Sequence, residues 1–309
     1  MEFTEVLIRA AGFVAIILLG YVLRRIEFFK EDDFHVLAKI SLKITLPASI
    51  IANFANKEVS VSMLGISFLG LMGGVLYMTV MYLMNVRSSR EQQAFDVLNI
   101  AGYNIGNFTM PFAQSFLGPT GVVVTSIFDT GNALVCLGGA YSLASIIKGE
   151  DTGEQKGSSF MQVVRTLVKS VPFDTYMIMI CLGLLHAHVP MAVTSVAGII
   201  GNANAFMAML MIGVGFKLSS NREQIGTIVR ILAVRYGMAI MLAFGFFLLL
   251  PIELEYRQTL ALLVFSPIAS AAPAFTADLK GDIGLSSAVN SLSIVISIVC
   301  IVAVLGIVM

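Results

Sequence analysis

Two short runs carry residues able to do chemistry: Asn104-Ile-Gly-Asn-Phe-Thr-Met-Pro111 and Ser266-Pro-Ile-Ala-Ser-Ala-Ala-Pro273. Each sets proline, asparagine or serine into a stretch otherwise apolar enough to lie in lipid. A proline inside a helix deletes one backbone hydrogen bond and releases the carbonyl four residues back, here Asn107 and Ala269. Loose backbone survives at membrane depth only where protein buries it or where it lines a watery cavity. A helix broken in the first run would restart with unpaired N–H groups and a positive dipole end, which suits a carboxylate. The candidate substrate-binding residues are Asn104, Gly106, Asn107, Pro111, Ser266, Pro267, Ser270 and Pro273. Tight helix packing is the competing account of the same residues.

Asp129 is the sharpest single residue. It lies some nine residues into its apolar run, roughly 14 Å deep at the helical rise per residue. A charge at that depth costs on the order of 2.5–3.5 kcal/mol on insertion scales, so it is expected to be protonated, cation-bound or paired. Asn132 follows three residues on, on the same helical face. In the last apolar run Ser286, Asn290, Ser293 and Ser297 form a polar stripe at helical spacing. Asp129, Asn132 and Asn290 are the candidates for a coupling ion or proton, a structural hydrogen bond being the alternative. Gly102 and Gly106 read as a small-xxx-small pair for close helix approach. Pro47 marks a kink, and Arg235 is expected to snorkel to the nearer interface.

The elements that must position these groups are membrane spans. Apolar types make up 57% of 309 residues and charged types 12%, with mean hydropathy +0.90. Each span needs about 20 mainly apolar residues. The segmentation predicts ten: 5–23, 34–55, 60–85, 92–117, 120–147, 172–188, 192–216, 225–250, 256–277 and 283–308. With odd-numbered loops cytoplasmic, sixteen of the nineteen basic residues fall on that side, leaving Arg9, Lys57 and Arg257 outside. That asymmetry is the positive-inside pattern, and it puts both termini outside. No cleavable signal peptide is expected, because Glu2 and Glu5 stand where a basic region would be.

Pro111 and Pro273 lie 162 residues apart (273 − 111) in similar surroundings. Residues 1–147 and 172–309 thus read as two five-span repeats joined by a cytoplasmic linker at 148–171. An odd number of spans per repeat makes the second copy inverted, and broken helices at matching places in such halves point to a carrier's binding site.

Other chemistry is not supported. The three cysteines (Cys136, Cys181, Cys300) stand singly in apolar spans and read as buried small residues. His186 and His188 are two apart, so on a helix they would point to different faces, and no acidic or thiol ligand accompanies them in the sequence, so no metal site is expected. There is no phosphate-binding Gly-x-x-x-x-Gly-Lys-Ser/Thr loop, and balanced charge, 19 basic against 19 acidic residues, gives no basis for nucleic-acid binding. No Ser/His/Asp cluster suggests an enzyme.

Over nearly its whole length the chain resembles the auxin efflux carrier family, which includes bacterial permeases and plant PIN-formed carriers. The shared pattern is Leu-Pro-Ala at 46–48, Asn104 seven residues before Pro111, Phe128-Asp-Thr-Gly-Asn132, and Ser266-Pro267 with the small run to Asp278. The resemblance implies kinship with the bile-acid/sodium symporter fold, with a scaffold of spans 1, 2, 6 and 7 and a core of spans 3–5 and 8–10. It implies crossed, broken fourth and ninth spans and elevator-type alternating access for organic anions such as auxin, malonate or malate. Asn104 would carry over as a substrate contact.

The expectation is an all-α integral membrane transporter in the plasma or inner membrane. Its partners are a small organic anion and the lipid bilayer, with a homodimer left open. It needs no cofactor, and coupling to sodium or protons stays open. The rivals are a cation or proton exchanger using the same crossover and a non-transporting membrane sensor.

Overall fold

In lipid every backbone polar group must find a partner within the protein, and long apolar runs meet that demand as helices. The computed structural model describes residues 3–30, 32–55, 57–149, 163–217 and 224–308, and these contain helices and connecting turns but no strand. In chain order the helices are α1 (Phe3–Arg25), α2 (Asp33–Phe54), α3 (Val61–Met84) and α4 (Arg90–Ile100). Then come α5 (105–117), α6 (Gly118–Leu134), α7 (Ala140–Lys148) and α8 (Val171–Leu184). The rest are α9 (Met191–Gly215), α10 (Ile225–Leu249), α11 (Leu254–Leu263), α12 (Ala272–Asp278) and α13 (Ile283–Val308). Seven helical stretches among the described residues are long and apolar enough to cross a membrane. Most of the linker expected at 148–171 lies outside the described residues.

Local signals set the helix ends. Ser89 caps α4 by accepting from the Gln92 N–H, with Glu91 in the first turn, where an acidic side chain favours the dipole. Pro172 enters α8 in its first turn, where no amide donor is required. The outer surface is apolar, as lipid demands: Leu249 in α10 is 80% exposed and Ile307 in α13 is 83% exposed. Cys181 is also exposed, and Cys136 and Cys300 are half-buried, which corrects the expectation that all three are buried. The apolar pattern marked the spans but not which face of each meets lipid.

Helices meet where small residues let backbones touch. A Cβ on Gly213 of α9 would stand 2.1 Å from the Ile17 carbonyl of α1, and one on Gly131 of α6 would stand 1.8 Å from the Ser67 carbonyl of α3. Both obstacles are backbone atoms, so the helices themselves must separate. Gly131→Ala is therefore expected to cost about 1–3 kcal/mol through overpacking. Gly12→Ala, where nothing lies within 4 Å, should melt like the parent; thermal unfolding of the two purified variants checks the contrast.

Candidate functional site

Two helices are interrupted. The first break occupies residues 101–104 between α4 and α5, with Gly102 at φ +69°. The second occupies residues 264–271 between α11 and α12. The first lies seven residues or more ahead of Pro111, not at it. Backbone π turns at Ile105–Thr109 and Ala113–Leu117 flank that proline and carry the helix past its missing donor. Gly102 and Gly106 consequently straddle a break and do not share one helix face. Pro273 sits in the first turn of α12, where its lack of an N–H costs nothing. The Ala269 carbonyl is also not loose: it accepts from the Ala272 N–H at 3.1 Å and from Asn290 Nδ2 at 3.2 Å.

The two breaks cross and bond to each other. The Asn104 N–H donates to the Pro267 carbonyl at 2.9 Å. Asn107 Nδ2 donates to Ser270 Oγ at 3.2 Å, and Thr109 Oγ1 donates to Ser266 Oγ at 2.6 Å. Ser266 passes that bond on to the Leu263 carbonyl at 2.5 Å, the last turn of α11.

Each break is also pinned by side chains of a later helix. Asn132 of α6 brackets Tyr103, accepting from its N–H at 2.9 Å and donating to its carbonyl at 2.8 Å. In the other half, Ser293 of α13 accepts from the Ile268 N–H at 3.1 Å while Asn290 donates to the Ile268 carbonyl at 3.1 Å. These bonds satisfy backbone groups that the breaks would otherwise leave unpaired in a low-dielectric interior. Asp129 lies one turn before Asn132. Its carboxylate accepts from Asn132 Nδ2 at 2.8 Å and from the Tyr176 hydroxyl of α8 at 3.0 Å.

Arg235 of α10 does not snorkel. It is fully buried and lies at the crossing. Its Nη1 donates to the Ile100 carbonyl at 2.6 Å, and its Nη2 to the carbonyls of Gly102 (2.8 Å), Ser266 (2.8 Å) and Pro267 (3.1 Å). The guanidinium also lies over the rings of Tyr77 and Tyr103, at 4.9 and 5.3 Å from their centroids. Snorkelling was the wrong expectation because the carbonyls freed by both breaks lie within the side chain's reach.

Two cavities of about 360 Å³ each flank the crossing. One is walled by α9, α12 and α13 and reaches Arg24, His35 and Lys217; the other is walled by α6 and α8 and reaches Ser170 and Pro172. Those residues stand at the end of α1, the start of α2, the end of α9 and the start of α8, so both cavities reach the same face. Asn104, Ser270 and Phe34 belong to both walls. Asn104 occupies the capping position of α5 without a capping bond from its side chain. Asp129, Asn132, Gly106 and Asn107 line the second cavity, and Asn290 and Pro273 the first. The Asn107 Oδ1 atom is buried with no hydrogen-bond partner. Ser266 and Pro267 lie behind these walls in the crossing itself, whereas Pro111 is buried farther along α5 and lines neither cavity. Toward the other face, Phe13 of α1 meets Phe112 edge-on at 4.9 Å, with Phe108 and Phe116 continuing the aromatic column along α5. Ser49 closes beside them by donating to Gln114 Oε1 at 2.8 Å.

The sequence profile of the family described as membrane transport protein matches residues 6–307. This chain belongs to the auxin efflux carrier family. No curated protein matches it. As a member of that family it is a multi-pass membrane transporter, in a family of transporters and not of enzymes.

In this auxin efflux carrier family member the site has parts that sequence reasoning missed. Tyr176 and Tyr103 are tyrosines in apolar runs, and nothing local marks either one. Outside both cavity walls, Asp96 of α4 is fully buried and paired with Arg230 at 2.6 Å, with Asn85 and Gln92 on its oxygens. A carboxylate and an amide four residues apart, at 92 and 96, were the available signal. Nor is His186 without acidic company, since Glu58 approaches its Nδ1 at 3.7 Å. Among the described residues no group of three or more metal-capable side chains gathers.

Proposed function

We propose that this transporter carries small organic anions, carboxylates such as malonate, malate or an auxin-like acid, by elevator-type alternating access. The observation that carries this reading is the placement of Asn104, whose side chain makes no capping bond and with Ser270 forms the polar part of the wall common to both cavities. A carboxylate there would meet the Asn104 and Asn107 amides, the Ser270 hydroxyl and the Gly106 and Asn107 N–H groups in the first turn of α5, which have no acceptor within their own helix.

On this reading the chain crosses the membrane ten times as two inverted five-span repeats, 1–147 and 172–309. The matched pins, Asn132 on Tyr103 and Ser293 with Asn290 on Ile268, support that symmetry. Spans 1, 2, 6 and 7 form the scaffold, and α3 to α7 with α10 to α13 form the moving core. Both cavities reach the face with the basic excess, so this arrangement corresponds to the inward-open state. Asp129 carries the coupling proton, Asn132 holds the backbone beside it, and Asn290 holds the second break from the other cavity. The protein works in the plasma or inner membrane with both termini outside.

Uptake of labelled malonate and malate into proteoliposomes tests the proposal. Removing a buried, substrate-facing amide costs on the order of 1–3 kcal/mol, so Asn104→Ala is expected to lower uptake by roughly tenfold to a hundredfold. Uptake equal to that of the parent would overturn the assignment. Cation flux that needs no organic solute and disappears in Asp129→Asn would favour an exchanger using the same crossover.

A further inference from the structure

We propose that Arg235 is a resident cation of the crossover, held where a broken-helix carrier would otherwise bind a coupling metal ion, so that anion binding in this protein needs no sodium. The inference deepens the transport reading above and rests on the crossing being its substrate site.

The C-terminal ends of α4 and α11 converge on one point. Helix ends of this kind, with unwound carbonyls beside them, are where carriers with discontinuous helices coordinate sodium or protons. Each C-terminal end carries roughly half a negative elementary charge, about one in sum. One guanidinium supplies the matching positive charge. Its four bonds to the carbonyls of Ile100, Gly102, Ser266 and Pro267 span 2.6–3.1 Å and draw on both breaks. Among the described residues no carboxylate lies within ion-pair distance of Arg235, which leaves the carbonyl ends as its counter-charge. A metal ion at that point would share these carbonyls with a fixed charge of its own sign.

Arginine also differs from a bound ion in being permanent. Its guanidinium stays protonated throughout the working pH range, and its planar fork reaches several acceptors at once. An ammonium at the same place is more strongly hydrated and would reach fewer of the four. With the negative ends neutralised, the cavity side of the crossing is left to the amide groups of Asn104 and Asn107 and the start of α5. Arg235 lines neither cavity and is therefore a positioning residue, acting on the ligand through the two breaks.

The test uses the full-length purified chain and needs no knowledge of the substrate. Melting temperatures are recorded for the parent, Arg235→Ala, Arg235→Met and Arg235→Lys in choline, sodium or methylguanidinium chloride at equal millimolar concentration. The parent is expected to melt alike in all three salts. Arg235→Ala should melt several degrees lower in choline and recover at least half of that loss in methylguanidinium, with a smaller gain in sodium. Failure of every cation to restore Arg235→Ala would reduce Arg235 to packing and overturn the proposal, as would sodium stabilising the parent. Should Arg235→Ala not fold, Arg235→Lys melting above Arg235→Met supports the cation role, and equal melting overturns it. Malonate and malate uptake into proteoliposomes with and without sodium separates the two readings, and uptake by the parent that requires sodium would overturn the role given to Arg235. No uptake by the parent in either salt condition would count against the transport proposal while leaving the melting result to decide Arg235.

Discussion

Gly102→Ala is expected to destabilise the protein by about 2–5 kcal/mol and to stop transport. Two independent penalties add. At φ +69° the backbone lies in the left-handed region, which costs an L-residue other than glycine roughly 1–2 kcal/mol. The new Cβ would also stand 2.4 Å from Cys136 Sγ and 3.3 Å from the Ala269 Cβ, and overpacking of that kind costs about 1–3 kcal/mol. Relief requires the 101–104 backbone to move, and that segment holds the Gly102 carbonyl on Arg235 and the Asn104 N–H on Pro267. Transport should therefore suffer more than folding. The double variant Gly102→Ala/Cys136→Ala separates the penalties, because it removes the sulfur and leaves the torsion. It should regain part of the lost melting temperature but not the activity. A single variant as stable and active as the parent would mean that the chain does not pass through the crossing in a left-handed turn.

The sequence showed that the helices break but not where. Proline, glycine and asparagine inside apolar runs announce loose backbone, and both interrupted stretches were legible on that basis. Their boundaries were not, because a proline's missing donor can be absorbed by widening the helix, as π turns do on either side of Pro111. Gly102 ends α4 instead, and its positive φ depends on what crosses it. Contacts within a turn or two were legible, as with Asp129 and Asn132. Those spanning the fold were hidden: Arg235 lies 133 and 135 residues from the carbonyls of Gly102 and Ile100. A basic residue several positions into an apolar span reads as snorkelling until its carbonyl partners are in place. Tyr176 is 47 residues from Asp129, and a tyrosine in an apolar helix gives no sign of what its hydroxyl meets.

That hydroxyl has a consequence for the transport cycle. Tyr176 belongs to α8, which packs on α2 and α6, and its bond to Asp129 joins the proposed scaffold to the proposed core. If the core slides, the bond breaks. Hydrogen bonds to charged groups contribute about 1.5–3 kcal/mol net, so this one favours the state seen here by roughly tenfold to a hundredfold or more. Tyr176→Phe should consequently populate the opposite state. Leu137 lines the cavity that holds Asp129. In a chain with Cys136, Cys181 and Cys300 replaced by serine, a Leu137→Cys reporter measures access from the basic face with a membrane-impermeant thiol reagent. Adding Tyr176→Phe should slow its labelling about tenfold, and a reporter near the aromatic column, Ser115→Cys, should label faster from the other face. Asp129→Asn alone should slow Leu137→Cys labelling less, because an amide oxygen still accepts from the tyrosine. Combined with Tyr176→Phe it should add little further, the non-additivity expected of two residues sharing one bond. Unchanged labelling in Tyr176→Phe, or strictly additive effects, would mean that the contact is formed equally in both states and does not hold the core.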